Sequence, residues 1–175
     1  LIEDGTIASI DIDVVILEHD KISKVSYQDE MEYLVMNQKR NDFLCNLVYS
    51  LKGNTLVLFQ YVEKHGFVLH SMMKERVKDL HYVYGGTDTK DREEVRELVE
   101  QQDDSVILAS YGTFSTGVNI KKIDNLVFAS PSKSRIRNLQ SIGRGLRKGN
   151  GKESLRLFDI ADYLCGDNYT LRHLK

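Results

Sequence analysis

The sequence predicts an α/β domain with a mainly parallel sheet, and three observations carry that reading. Apolar runs of four to six residues bounded by polar turns are what strands buried on both faces look like. Segments with apolar residues at helical spacing alternate with these runs, as parallel strands require, because each return to the same edge of a sheet needs a crossover. A length of 175 residues, with 41% hydrophobic and 29% charged side chains, suits one compact core rather than two.

Residues 6–17 are rich in β-branched side chains (Ile7, Ile10, Ile12, Val14, Val15, Ile16) and read as an opening strand. Over residues 28–51 apolar positions recur at helical spacing, first Met31, Leu34 and Val35, then Leu44, Leu47, Val48 and Leu51. One or two helices are expected there, stopped at Gly53-Asn54. A strand over 55–60 (TLVLFQ), a helix over 68–77 and a strand over 80–84 follow, the last broken by Gly85-Gly86. Residues 88–100 place Val95, Leu98 and Val99 at i, i+3 and i+4 among charges, an amphipathic helix for which Thr87 to Thr89 offer an N-cap. SVILA (105–109), NLVFA (125–129) and LRLFDI (155–160) complete the strands. With one proline, Pro131, and no low-complexity tract, nothing marks a flexible linker.

A formal net charge of −2 excludes a histone-like polycation. Cys45 and Cys165 are too few and too far apart for a disulfide framework or a structural zinc cage, and the five histidines show no paired ligand spacing. The expectation is a reduced, cytoplasmic chain without a metal site of its own. No apolar run approaches the length of a membrane span, and a first residue that is Leu1 reads as an excised piece of a longer protein. Asp29-Glu30 reads as a solvated helix start rather than a carboxylate box. VVILEHD (14–20) reads as an edge or opening strand.

In open α/β sheets ligands sit at the carboxyl ends of strands, which singles out two stretches. ASYGTFSTGVN (109–119) leaves a strand and is packed with small hydroxyl and glycine residues, which let backbone and hydroxyl groups approach phosphates closely. QSIGRGLR (140–147) turns Gln140, Arg144 and Arg147 toward one arc of a helix, with Ile136, Leu139, Ile142 and Leu146 on another side. Around it ten basic residues from Lys121 to Arg156 face only Asp124 and Glu153. Such a stripe favours a polyanion, a solvated surface being the plain alternative.

Order and spacing of these stretches resemble the second RecA-like domain of superfamily 2 helicases over residues 54–160. VLFQYVEKHG resembles motif IV, VYGGTDTKDREEVRELV the glycine-and-arginine motif after it, VILASYGTFSTGVNI motif V, and QSIGRGLR the motif VI pattern Q-x-x-G-R-x-x-R. The form of motif V and the opening LIEDGTIASIDIDVVIL are most similar to UvsW-type phage DNA helicases, with Asn119 standing where many relatives carry aspartate. The resemblance implies a RecA-like three-layer fold, with residues 1–53 leading from a missing first domain and 54–175 forming the second. It implies Arg144 and Arg147 as catalytic arginine fingers and Gln140, Gly143, Gly117 and Asn119 as ATP contacts. Ser110, Thr113, Arg92, Gly86 and Gln60 become the nucleic-acid contacts.

The implied function is the C-terminal half of an ATP-dependent DNA helicase or translocase acting on branched or duplex DNA. In a phage-encoded protein it would work in the host cytoplasm. No G-x-x-x-x-G-K-[ST] phosphate loop occurs in the chain, so ATP and Mg²⁺ are expected mainly on the first RecA-like domain, and the chain alone is expected to be inactive. A non-hydrolytic nucleic-acid-binding module, an RNA helicase and a restriction or translocase motor subunit are the alternatives.

Overall fold

The structure, a computed structural model, describes residues 9–20, 22, 26–115, 122–131, 154–164 and 169. Six strands are present among them: β1 (Ser9–Glu18), β2 (Thr55–Phe59), β3 (Leu80–Val83), β4 (Val106–Ser110), β5 (Asn125–Phe128) and β6 (Ser154–Tyr163). They form one sheet in the order β1-β6-β5-β2-β4-β3. Every pairing is parallel. The helices are α1 (Tyr27–Met36), α2 (Gln38–Ser50), α3 (Val68–Met73), α4 (Thr89–Gln101) and α5 (Tyr111–Ser115).

All five residues of β2 are buried, and their alternation explains why a period of two is invisible as a polar pattern. Leu56 and Leu58 join Ile107, Leu126 and Leu157 on the face closed by Val95 and Val99 of α4. Val57 and Phe59 join Leu108 and Val127 on the face closed by Leu44 and Val48 of α2 and by Leu69 and Met73 of α3. Two hydrophobic slabs therefore sandwich the sheet, each fully buried Leu, Val or Phe side chain contributing about 1.5–3 kcal/mol. The expected opening strand, β1, is one of the two edge strands of this sheet, and α2 belongs to its core.

The region 28–51 holds two helices because Asn37 interrupts it: its N–H donates to Leu34 O and its Oδ1 accepts the Arg40 N–H at 3.0 Å. Asparagine favours such cap positions over helix interiors. Ser26 and Asp29 form a capping box at the start of α1. Glu30 departs from the solvated start expected, being buried and accepting the Tyr169 N–H at 3.0 Å.

The helix expected over 68–77 begins earlier, as a π-helical turn (Val62–Phe67), and ends at Met73. A Cβ on Gly66 would lie 2.5 Å from the Phe59 ring, so the turn rests its bare backbone on the core. The polar letters EKHG hide that contact. At α4 the N-cap is Asp88, with no side-chain cap bond, while Thr87 Oγ1 accepts the Tyr84 N–H at 3.0 Å and closes the turn after β3.

Two buried polar centres hold the layers in register. The fully buried Asn54 shares the two hydrogens of its Nδ2 among the carbonyls of Val99 (3.1 Å), Gln102 (3.0 Å) and Lys122 (2.9 Å), and its Oδ1 accepts the Ser105 N–H, tying the end of α4 to the start of β2 and β4. Arg40 makes a two-point pair with Asp162, through Nε at 2.8 Å and Nη2 at 2.9 Å, and His19 Nε2 lies 2.8 Å from the same carboxylate. Burial pushes the Asp162 carboxyl up, but Arg40 and the His19 hydrogen bond outweigh it and hold it below its ordinary value. Removing one partner would strand a buried charge, at a cost of about 3–5 kcal/mol. No helix among the described residues is long and apolar enough to cross a membrane.

His65, in the π-helical turn, is fully buried. Burial, reinforced by the Arg40 charge, lowers it to about 3. The unfolded chain binds a proton near the ordinary histidine value and the folded chain does not, so His65 contributes stability that is complete above about pH 6.5 and is lost as pH falls toward 3. The expected loss is about 1.4 kcal/mol per pH unit in that window. Urea unfolding at a series of pH values should show it, and His65→Asn should flatten the slope.

Candidate functional site

Because all described strands run the same way, the residues at and just after the ends of β2, β3 and β4 meet at one edge of the sheet. There Gln60, Gly85 and Ser110 line an open cleft of about 480 Å³ together with Val62, Arg92, Tyr111, Gly112 and Thr113. Arg92 reaches it from the first turn of α4. Its Nη2 donates to the carbonyls of Gly85 (3.1 Å) and Tyr84 (3.4 Å), so the guanidinium also fastens the turn beneath it. Ser110 Oγ and Thr113 Oγ1 lie 2.7 Å apart, with the Thr113 N–H also directed at Ser110 Oγ. Gly112 is exposed, and open space surrounds the position a Cβ would take.

Behind the lining residues lies Ser130, which follows β5 and is fully buried. Its Oγ accepts the Gln60 N–H at 3.1 Å and lies 2.8 Å from His65 Nδ1, and its carbonyl accepts the Tyr111 O–H at 2.8 Å. One residue thus links the ends of β2, β4 and β5. Among the lining residues Arg92 is the single charged side chain, and no carboxylate is among them. An uncrowded cleft with one guanidinium, an amide and two hydroxyls can accept an anion without burying a like charge.

Four of the residues expected to contact nucleic acid, Gln60, Arg92, Ser110 and Thr113, come together here. Gly86 sits beside the lining Gly85 and packs under Tyr84, where a Cβ would stand 2.7 Å from the ring. Gly117, Asn119, Gln140, Gly143, Arg144 and Arg147 lie outside the described residues, as does most of the basic stripe. Its described members are already paired, Lys122 with Asp103 and Arg156 with Asp13, each at 2.6 Å. Sequence reasoning did not single out Tyr111, Val62, Ser130 or His65. The only local sign of the Ser130 node is the S-P-S step ending the apolar run of β5.

A second cleft, of about 540 Å³, opens over the Arg40 ion pair and is lined by Glu18, His19, Asp20 and Lys39 among others. Its mixture of acids and bases gives no preference for one sign of ligand.

The family model described as the helicase conserved C-terminal domain matches residues 39–149. The chain belongs to that family. It is 33% identical over 170 residues to the ATP-dependent DNA helicase uvsW of Enterobacteria phage T4, covering 93% of this chain and 34% of that protein. It is 29% identical over 111 residues to the putative ATP-dependent helicase IRC3 of Saccharomyces cerevisiae, covering 63% of this chain and 16% of that one. This helicase C-terminal domain therefore spans about a third or less of these relatives. The crystal structure of T4 UvsW superposes with a TM-score of 0.79 at 30% identity, over 94% of this chain and 37% of that one. The E. coli DEAD-box protein SrmB shares the fold, with a TM-score of 0.59 at 13% identity over 89% of this chain and 78% of that one. The all-parallel sheet with helices matches RecA-like helicase C-terminal domains.

The two neighbouring glycines should respond differently to an added methyl group. Gly86→Ala must displace the Tyr84 ring and should be the more destabilising of the two, whereas Gly85→Ala meets nothing within 4 Å and should be nearly neutral. Chemical denaturation of the two variants separates them.

Proposed function

We propose that this chain is the second motor domain of an ATP-dependent DNA helicase that unwinds or remodels branched DNA in recombination and repair, in the cytoplasm of the host cell. The observation that carries the reading is the convergence of Gln60, Arg92, Ser110 and Thr113 in an open cleft whose one lining charge is positive. Such a cleft suits the phosphates of a nucleic-acid backbone, which position a strand without reading it. The name of the T4 relative, an ATP-dependent DNA helicase, supports DNA as the polymer.

In this reading residues 1–53 lead from a first RecA-like domain, which carries ATP and Mg²⁺, into residues 54–175, although β1 and α2 already contribute to the sheet and core of the latter. Gln140, Gly143, Gly117 and Asn119 would complete the nucleotide site. Arg144 and Arg147 would stabilise the charge that develops on the transferred phosphoryl group, an effect worth about 10³–10⁵ in rate. ATP supplies the free energy, and the residues of the cleft hold the strand while the two domains move.

The chain alone should bind DNA in a salt-sensitive, sequence-insensitive way and release no phosphate from ATP. Titration with branched DNA, duplex DNA and RNA between about 50 and 200 mM salt tests the polymer and the grip together. Arg92→Ala should weaken binding equally across unrelated sequences and lower the salt slope by about one. Arg92→Lys keeps the charge but not the two carbonyl bonds, and should retain the slope. A wild-type slope in the alanine variant would remove Arg92 from the phosphate contacts.

In the protein carrying both domains, Arg147→Ala should lower kcat by about a thousandfold while nucleotide affinity stays close to wild type. Steady-state kinetics alongside nucleotide titration decides it, loss of affinity alone being the contrary result.

A further inference from the structure

Beside the cleft stands a row of rings that the phosphate grip does not use. Phe59, fully buried at the end of β2, stacks on Tyr82 of β3 with centroids 5.6 Å apart and planes 19° apart. Tyr82 in turn meets Tyr84 at 5.4 Å, and His70 of α3 flanks it at 5.3 Å. The row is held from several sides. Tyr82 donates its O–H to the carbonyl of Val62, a residue lining the cleft, at 2.8 Å. Tyr84 is fastened through its backbone, its N–H to Thr87 Oγ1 and its carbonyl to Arg92 Nη2. The missing side chain of Gly86 leaves room for its ring.

We propose that Tyr84 is a nucleobase-stacking residue, the outermost ring of an aromatic ladder that receives a base of single-stranded DNA whose backbone lies in the adjoining cleft. The proposal rests on the reading of that cleft as a phosphate site. Three features point to a base rather than to packing alone. Tyr84 is only half-buried, while the ladder behind it runs into the core, so the ring is both presented and backed. It immediately precedes Gly85, which lines the cleft, so ring and phosphate groups occupy neighbouring positions on one strand end. Arg92 bonds the Tyr84 carbonyl and also lines the cleft, fixing the two parts relative to each other. An aromatic platform beside a cationic groove is the arrangement by which single strands are held without sequence preference.

A phosphate grip is indifferent to whether bases are present, and a stacking contact is not. The 175-residue chain should therefore bind a single strand of about 12 nucleotides roughly tenfold more tightly than the same strand made abasic. Tyr84→Phe should keep this preference. Tyr84→Leu should abolish it while leaving the salt slope unchanged, opposite to the effect of Arg92→Ala. The chain has no tryptophan, so Tyr84→Trp introduces a single indole, whose fluorescence should be quenched by the base-bearing strand and not by the abasic one.

Equal affinity of the wild type for both strands, retention of the preference in Tyr84→Leu, or an unquenched indole in a complex that forms would overturn the proposal and leave the phosphate site standing. Failure to bind either strand would overturn the phosphate reading and this inference with it.

Discussion

In a sheet whose described strands all point one way, each carboxyl end opens at the same edge, and the chemistry of the domain is confined to the segments that leave those ends. β2 occupies the interior of the strand order, with β5 and β4 on either side. The residues at and just beyond the ends of these three strands, Gln60, Ser110 with Tyr111, and Ser130, are therefore brought together without the three groups being close in sequence. Ser130 completes the effect by bonding to both of the others. The cleft is a consequence of strand direction, and its fine geometry a consequence of one hydroxyl and one carbonyl.

The hydrophobic slabs do not act alone in fixing that edge. His65 touches Ser130 on one side and feels the Arg40 charge on the other, and Arg40 is locked to Asp162 at the end of β6. Polar groups thus reach across the sheet from the β2–β5 side toward the β1–β6 side. In a low-dielectric interior such groups are strongly directional and costly to leave unpaired. They hold the strand ends in register, where apolar packing alone would tolerate small slips.

Much of this fold was legible because buried parallel strands and amphipathic helices write themselves as local patterns. TLVLFQ, SVILA and NLVFA each became a strand close to its expected bounds, and of the apolar trio of α4 Val95 and Val99 face a core while Leu98 is exposed. The gathering of Gln60, Arg92, Ser110 and Thr113 was legible through motif order. What stayed hidden was non-local: nothing near Arg40 announces a partner 122 residues away, and nothing in EKHG shows that Gly66 must lie flat on Phe59. Ser130 and Tyr111 escaped for the same reason. A single serine after a strand acquires meaning only when the neighbouring strand ends are in place.

The edge strand β1 carries a consequence of a different kind. Along β1 the side chains of Ile12, Val14 and Ile16 are more than half exposed, and among the described strands only β6 pairs with it. A long apolar strand with an open side is the usual starting point for self-association through added strands. Here Asp11 and Asp13 alternate with the isoleucines and Glu18 closes the strand, and with Asp13 paired to Arg156 it is the Asp11 and Glu18 carboxylates that a second copy approaching edge to edge would meet. Salt concentrated enough to screen those carboxylates removes the guard while leaving the apolar strand intact.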